Sequence, residues 1–181
     1  MQREKLSAKD LCYIGIFTAV MVVCAQLAIP LPGGVPMTLQ TWAISFAGIV
    51  LGAKKGALSA IIYVLLGAIG VPVFANFTGG IGIVIGPTGG FILSFPIMAL
   101  LAGMGWGKQS VIWLVTWLIL GTVINFLAGM LYFSFIMDTS LQTAFMIAVL
   151  PFIPSAVIRI VILTIVSKSM KYTIVIRGKG Q

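Results

Sequence analysis

Long apolar stretches separated by short clusters of Gly, Pro and charge organise this chain, and six of them are read as membrane spans. The first runs from about Leu11 to Ile29 and stops at Pro30, Pro32, Gly33, Gly34 and Pro36. The second covers about 38–51 and ends at Gly52-Ala53-Lys54-Lys55. The third covers 56–70 and stops before Pro72. The fourth covers about 88–104, after Gly86-Pro87 and before Lys108. The fifth is long, about 111–137. The sixth covers about 144–168 and is interrupted by Pro151 and Pro154. Gly and Pro punctuate because they break or bend helices at definite places. The pattern predicts an all-α membrane protein with six transmembrane helices, forming a single integral membrane domain over residues 1–181. The second and third spans hold only about fifteen residues each, or ~22 Å of helix against a ~30 Å hydrocarbon core. Short spans beside Gly/Pro-rich loops imply irregular backbone at membrane depth, which is tolerated only where protein covers it or it lines a cavity. A ligand pocket under the outer loops follows.

Charge fixes the expected topology. Arg3, Lys5 and Lys9 precede the first span, Lys54 and Lys55 separate the second from the third, and Lys108 separates the fourth from the fifth. Lys168, Lys171, Arg177 and Lys179 follow the sixth. The remaining loops carry no basic residue, and the last of them holds Asp138. Basic residues collect on the cytoplasmic side, so both termini are expected there. The same alternation argues against nucleic acid as a partner of this net +8 chain, because the basic residues flank apolar spans instead of forming one patch. The expected location is the cell membrane, a bacterial plasma membrane, with the lipid bilayer as a partner. No cleavable signal peptide is expected, since the first apolar run ends in Ile29-Pro30-Leu31-Pro32 without a small-residue cleavage site.

The candidate chemistry is sparse. The chain has no His and only three carboxylates, Glu4, Asp10 and Asp138. Enzymatic catalysis finds no base, no zinc motif and no carboxylate pair within the spans, and neither a cofactor nor a metal is implied. No Gly-x-x-x-x-Gly-Lys-Ser/Thr loop is present, so ATP is not hydrolysed by that mechanism. Cys12 and Cys24 fall on one predicted helix ~18 Å apart, too far to join, and read as packing residues. Arg159 is different: it is stranded inside the last apolar stretch with no carboxylate in any span. A charge within a membrane costs much and marks a functional site by default. It is available to hold an anionic group such as a ligand's carboxylate, or else it snorkels to an interface. Two Gly/Pro-rich segments add polar and aromatic groups: Pro30–Gln40, ending in Thr38 and Gln40, and Gly70–Gly80 with Gly86–Phe91, carrying Phe74, Phe77, Thr78 and Phe91. Each reads either as a turn or packing element, or as a pocket wall. Gly15 and Ala19 form a small-xxx-small pair that permits close helix contact, within the chain or with another membrane protein. Gly121, Asn125 and Gly129 form a similar stripe, read as packing.

Val35-Pro36-Met37-Thr38-Leu39-Gln40, Leu51-Gly52, Lys55-Gly56, Gly67 to Ala75 and Gly86-Pro87-Thr88-Gly89-Gly90-Phe91 resemble, in order and spacing, the BioY family. These are the biotin-binding S components of energy-coupling factor (ECF) vitamin transporters. The resemblance covers most of the chain. It implies biotin capture on the outer side, and it implies three partners: an ECF transmembrane coupling subunit and two ATPase subunits. Thr38, Gln40, Phe74, Thr78, Gly89, Gly90, Phe91 and Arg159 are the implied substrate-binding residues, and Gly15 and Ala19 the implied docking face for the coupling subunit. The chain departs from the family's Pro-Gly-Asp-x-x-Lys pattern, reading Pro154-Ser155-Ala156-Val157-Ile158-Arg159. Thr78 and Ile92 stand where some members carry Asn and Arg. These departures leave a biotin analogue or precursor as an alternative ligand, and a non-transporting membrane assembly protein as an alternative class.

Overall fold

Ser7 starts the first helix. Its hydroxyl accepts from the Asp10 N–H while the Asp10 carboxylate accepts from the Ser7 N–H, a reciprocal cap. In the computed structural model, which describes residues 6–31, 33–107 and 110–170, helix α1 spans Ala8–Gln26. Pro32, Lys108, Arg3, Lys5, Lys171, Arg177 and Lys179, used above to read the loops, lie outside the described residues. The apolar run continues to Ile29 but the helix does not. Ile29 precedes Pro30, whose ring disfavours helical backbone in the residue before it. Ala28–Ile29 (β1) are extended instead and pair antiparallel with Met37–Thr38 (β2), closing the first loop as a short ribbon.

Helix α2 (Gln40–Leu51) and helix α3 (Ala53–Ala68) follow, with Lys54 and Lys55 in the first turn of α3. Twelve and sixteen residues give them about 18 and 24 Å of length, short of a ~30 Å hydrocarbon core. A loop and the one-turn helix α4 (Ile81–Val84) lead to α5 (Gly89–Gly107) and then α6 (Val111–Ile136). The last apolar stretch is two helices, α7 (Leu141–Ala148) and α8 (Ile153–Met170), joined by a 3-10 turn around Pro151. Four segments are long and apolar enough to cross a membrane: Ala8–Gln26, Gly89–Trp106, Val111–Ile136 and Leu141–Met170.

Packing centres on α5, which contacts α2, α3 and α6. Met21, Ile44, Tyr63 and Phe95 join α1, α2, α3 and α5 in one buried cluster. The outward faces are as apolar as the core: Phe135 is 81% exposed, Ile112 80% and Val23 65%. Helices apolar on every side, yet bare of protein on one, belong in lipid.

The helix directions sort the two ends. Lys55 pairs with Asp10 at 2.5 Å, bringing the start of α1 to the α2–α3 turn. Val35 packs with Phe133, Ala144 and Ala148, so the first loop meets the ends of α6 and α7 at the opposite end. Single cysteines placed at Val71 and Lys54, in a background lacking Cys12 and Cys24, should therefore react with a membrane-impermeant thiol reagent from opposite sides. Labelling of both from one side contradicts this arrangement. Gly33 is a poor probe site, because any side chain there runs into Ile147.

Candidate functional site

Where the uncharged loops meet, the helix ends enclose a cavity of about 350 Å³. That falls within the roughly 300–1,000 Å³ of small-molecule sites. One wall is formed by Pro30, Leu31 and the segment 34–41. The Thr38 hydroxyl donates to Gln40 Oε1 at 2.9 Å and accepts from the Gln40 N–H at 3.2 Å. With its oxygen so engaged, Gln40 turns Nε2 to the Tyr63 hydroxyl at 2.5 Å, and Tyr63 donates onward to the Val73 carbonyl at 3.0 Å. A relay of side chains thus joins the start of α2 to the loop after α3.

That loop is the second wall. The Phe74 ring stands edge-on to Tyr63, centroids 5.6 Å apart. It rests against Gly67, where even a methyl group would collide with it. Gln26 at the end of α1 clamps the same loop: Nε2 donates to the Phe74 carbonyl at 3.1 Å and Oε1 accepts from the Phe77 N–H at 2.8 Å. Asn76 and Phe77 both have left-handed backbone, φ 56° and 54°, uncommon for side-chain-bearing residues. The Gln26 clamp helps hold that conformation. Asn76 and Thr78 are exposed at the rim.

The third wall comes from α5, α6 and α8. Phe91 faces Phe152 with centroids 6.4 Å apart and is seated against Gly129. Arg159 lines the cavity and is 3% exposed. Its Nη2 donates to the Thr122 hydroxyl at 2.6 Å, and its Nε has no hydrogen-bond partner. Among the described residues the ion pair is Lys55–Asp10, so no carboxylate answers this guanidinium. The burial excludes snorkelling, which keeps the charged head in water.

Six of the eight residues read from the sequence as ligand contacts therefore share one cavity: Thr38, Gln40, Phe74, Thr78, Phe91 and Arg159. Gly89 and Gly90 lie off its wall. A methyl on Gly89 would meet the Val84 carbonyl, and one on Gly90 the Ala128 carbonyl of α6. Their smallness lets α5 begin close against α4 and α6. Ala156 and Ile92 add apolar surface to the cavity. Asn125 was read as packing, but it lines the cavity and is 2% exposed. Its Nδ2 reaches the Phe91 carbonyl at 3.1 Å and Ser94 Oγ at 2.7 Å. A polar residue flanked by glycines on an apolar helix was the available signal. Gly15 and Ala19 do not line this cavity; they lie on an exposed face of α1, and a methyl on Gly15 would have no neighbour within 4 Å.

The BioY family model matches residues 1–175. The chain belongs to the BioY family. It is 38% identical over 166 residues to the "Probable biotin transporter BioY" of Pyrococcus horikoshii, covering 92% of this chain and 98% of that one. It is 37% identical over 164 residues to the "Biotin transporter BioY" of Thermotoga maritima, covering 90% and 96%. Among solved structures, the S-component for biotin from an ECF-type ABC transporter superposes with a TM-score of 0.83 at 26% identity. That match covers 94% of this chain and 95% of the other.

The Tyr63 relay makes this BioY chain's cavity wall testable for stability. Tyr63→Phe leaves the buried Gln40 amide and the Val73 carbonyl each short of a partner, and an unsatisfied buried group costs about 1–3 kcal/mol. Thermal unfolding in detergent should show a clearly lowered midpoint for the variant. An unchanged midpoint would remove the relay from the account.

Proposed function

We propose that this chain is the substrate-capture subunit of a biotin uptake transporter. It binds biotin at the outer face and delivers it through an ATP-driven complex with a transmembrane coupling subunit and two ATPase subunits. The observation that carries the reading is Arg159, a buried and incompletely partnered cation in a ligand-sized cavity of a BioY-family chain. The names of its relatives supply the ligand. Six membrane crossings with both termini cytoplasmic, in one domain in the cell membrane, complete the proposal. It is supported by the ends that the bundle separates: Lys54, Lys55 and, along α8, Lys168 at one, and the cavity loops at the other.

No phosphate-binding loop exists in the chain, so the energy has to come from partners. The exposed small-residue face of α1 is the surface proposed for the coupling subunit. A close analogue or precursor of biotin remains the second reading of the ligand, favoured by the apolar Ala156 and Ile92 in the wall.

Calorimetric titration of the purified chain with biotin tests capture directly. Arg159→Ala removes a hydrogen bond to a charged group worth roughly 1.5–3 kcal/mol. Biotin should bind the variant about ten- to a hundredfold more weakly. Arg159→Lys should recover part of the loss, since it restores the charge without the planar fork. Equal affinity for the wild type and the Ala variant would exclude Arg159 from the site.

Docking has its own test. Gly15→Leu and Ala19→Leu place bulk on a bare face, so the isolated chain should still bind biotin while co-purification with the coupling subunit and ATP-driven uptake fall. Normal co-purification of both variants would relocate the docking surface.

A further inference from the structure

Gln26 ends α1 with both amide hydrogens and its oxygen in use, and two of these three bonds go to the loop after α3. The Phe74 carbonyl is purely an acceptor and the Phe77 N–H purely a donor, so these partners decide which end of the amide faces which. The other amide hydrogen goes to the Val22 carbonyl at 3.1 Å, which ties the side chain to its own helix. Phe74 and Thr78 pair as a bridge, and the Thr78 N–H and hydroxyl both donate to the Ala75 carbonyl, so residues 74–78 form a closed turn. Its two feet stand on α3. The Tyr63 hydroxyl donates to the Val73 carbonyl at 3.0 Å, and the Gly80 N–H donates to the Gly67 carbonyl at 2.7 Å. Between those feet, among the described residues, only Gln26 joins the turn to another helix by hydrogen bonds. The turn is a thin wall: Asn76 and Thr78 line the cavity and are also exposed at its rim.

We infer that Gln26 is a positioning residue that latches the 74–78 turn shut at the cavity rim, and that biotin passes when its two hydrogen bonds to the turn part. The inference rests on the biotin-capture reading. Gln26 does not line the cavity, so its bonds hold the turn whether the cavity is filled or not. Breaking them changes how often the turn opens and leaves the contacts of the closed turn as they are. The turn is built to open once released. Asn76 and Phe77 sit in left-handed backbone, φ 56° and 54°, a conformation that costs free energy and persists only while its surroundings hold it. The Phe77 ring is 73% exposed, so packing of that side chain adds little hold at the tip. Gly80, at the second foot, has φ 101°, backbone that glycine adopts without strain.

Gln26→Leu, close in size and without hydrogen-bonding groups, tests the latch in the purified chain in detergent. Association and dissociation of biotin, measured separately, should both speed up by at least about fivefold, the scale set by losing one or two hydrogen bonds. The equilibrium Kd should stay within about threefold of the wild type. A residue that only supports the fold, or one that contacts the ligand, would instead speed dissociation and leave association unchanged. Hydrogen exchange without biotin reads the latch independently, because backbone amides exchange through local opening. Amides of residues 74–78 should exchange at least about fivefold faster in Gln26→Leu, with those of the α5 core unchanged. Unchanged exchange in the turn, or faster dissociation with unchanged association, overturns the latch and leaves biotin capture standing. No biotin binding to the wild type overturns the capture reading, and hydrogen exchange then decides the latch alone.

Discussion

A guanidinium enclosed by apolar helices has to be answered, and among the described residues only Thr122 answers Arg159. The cost of burying a charge is large unless it is paired and hydrogen-bonded. The proposed capture role rests on the remaining donors, which an acceptor brought from outside would satisfy. The break between α7 and α8, around Pro151, brings the first two turns of α8 to the cavity, with Arg159 six residues after the start of that helix. Around that polar point the wall is aromatic, with Phe91 and Phe152 facing each other and Phe74 held on Gly67. Polar groups are thus few in this cavity, and aromatic side chains make up much of its wall.

The same hydrogen bonds hold the fold and shape the site. Helices α2 and α3 are too short to carry helical backbone across a full bilayer, so the 70–80 loop brings irregular backbone into the bundle. In a membrane each carbonyl there needs an internal partner. Gln26 serves the Phe74 carbonyl and Tyr63 the Val73 carbonyl. Gln26 and Tyr63 stand behind the cavity and hold Phe74 and Gln40, which line it, so the shape of the cavity and the stability of the fold are coupled through them.

Local signals carried much of this. Gly and Pro clusters marked the breaks between helices, and the isolated charge of Arg159 pointed to the cavity that it lines. Thr38, Gln40, Phe74, Thr78 and Phe91 were legible as cavity-lining residues because they sit in loops rich in Gly and Pro that carry polar and aromatic groups. What the sequence hid is long-range. Asn125 meets Phe91 and Ser94 more than thirty positions away, and no periodicity on α6 separates a cavity-lining residue from a packing one. Gly89 and Gly90 looked like ligand-approach glycines, and only the neighbouring carbonyls show that they admit helices. The end of α1 at Gln26 was masked by apolar Leu27, Ala28 and Ile29, which continue the hydrophobic run in a non-helical conformation.

The central claim is that the cavity at the uncharged end of the bundle is where biotin is held. A structure of the purified chain saturated with biotin tests it most directly. The account predicts ligand density enclosed by Phe74, Phe91 and Phe152, with a polar atom within hydrogen-bonding distance of Arg159. Ligand density elsewhere on the molecule, with this cavity unchanged and empty, would contradict it.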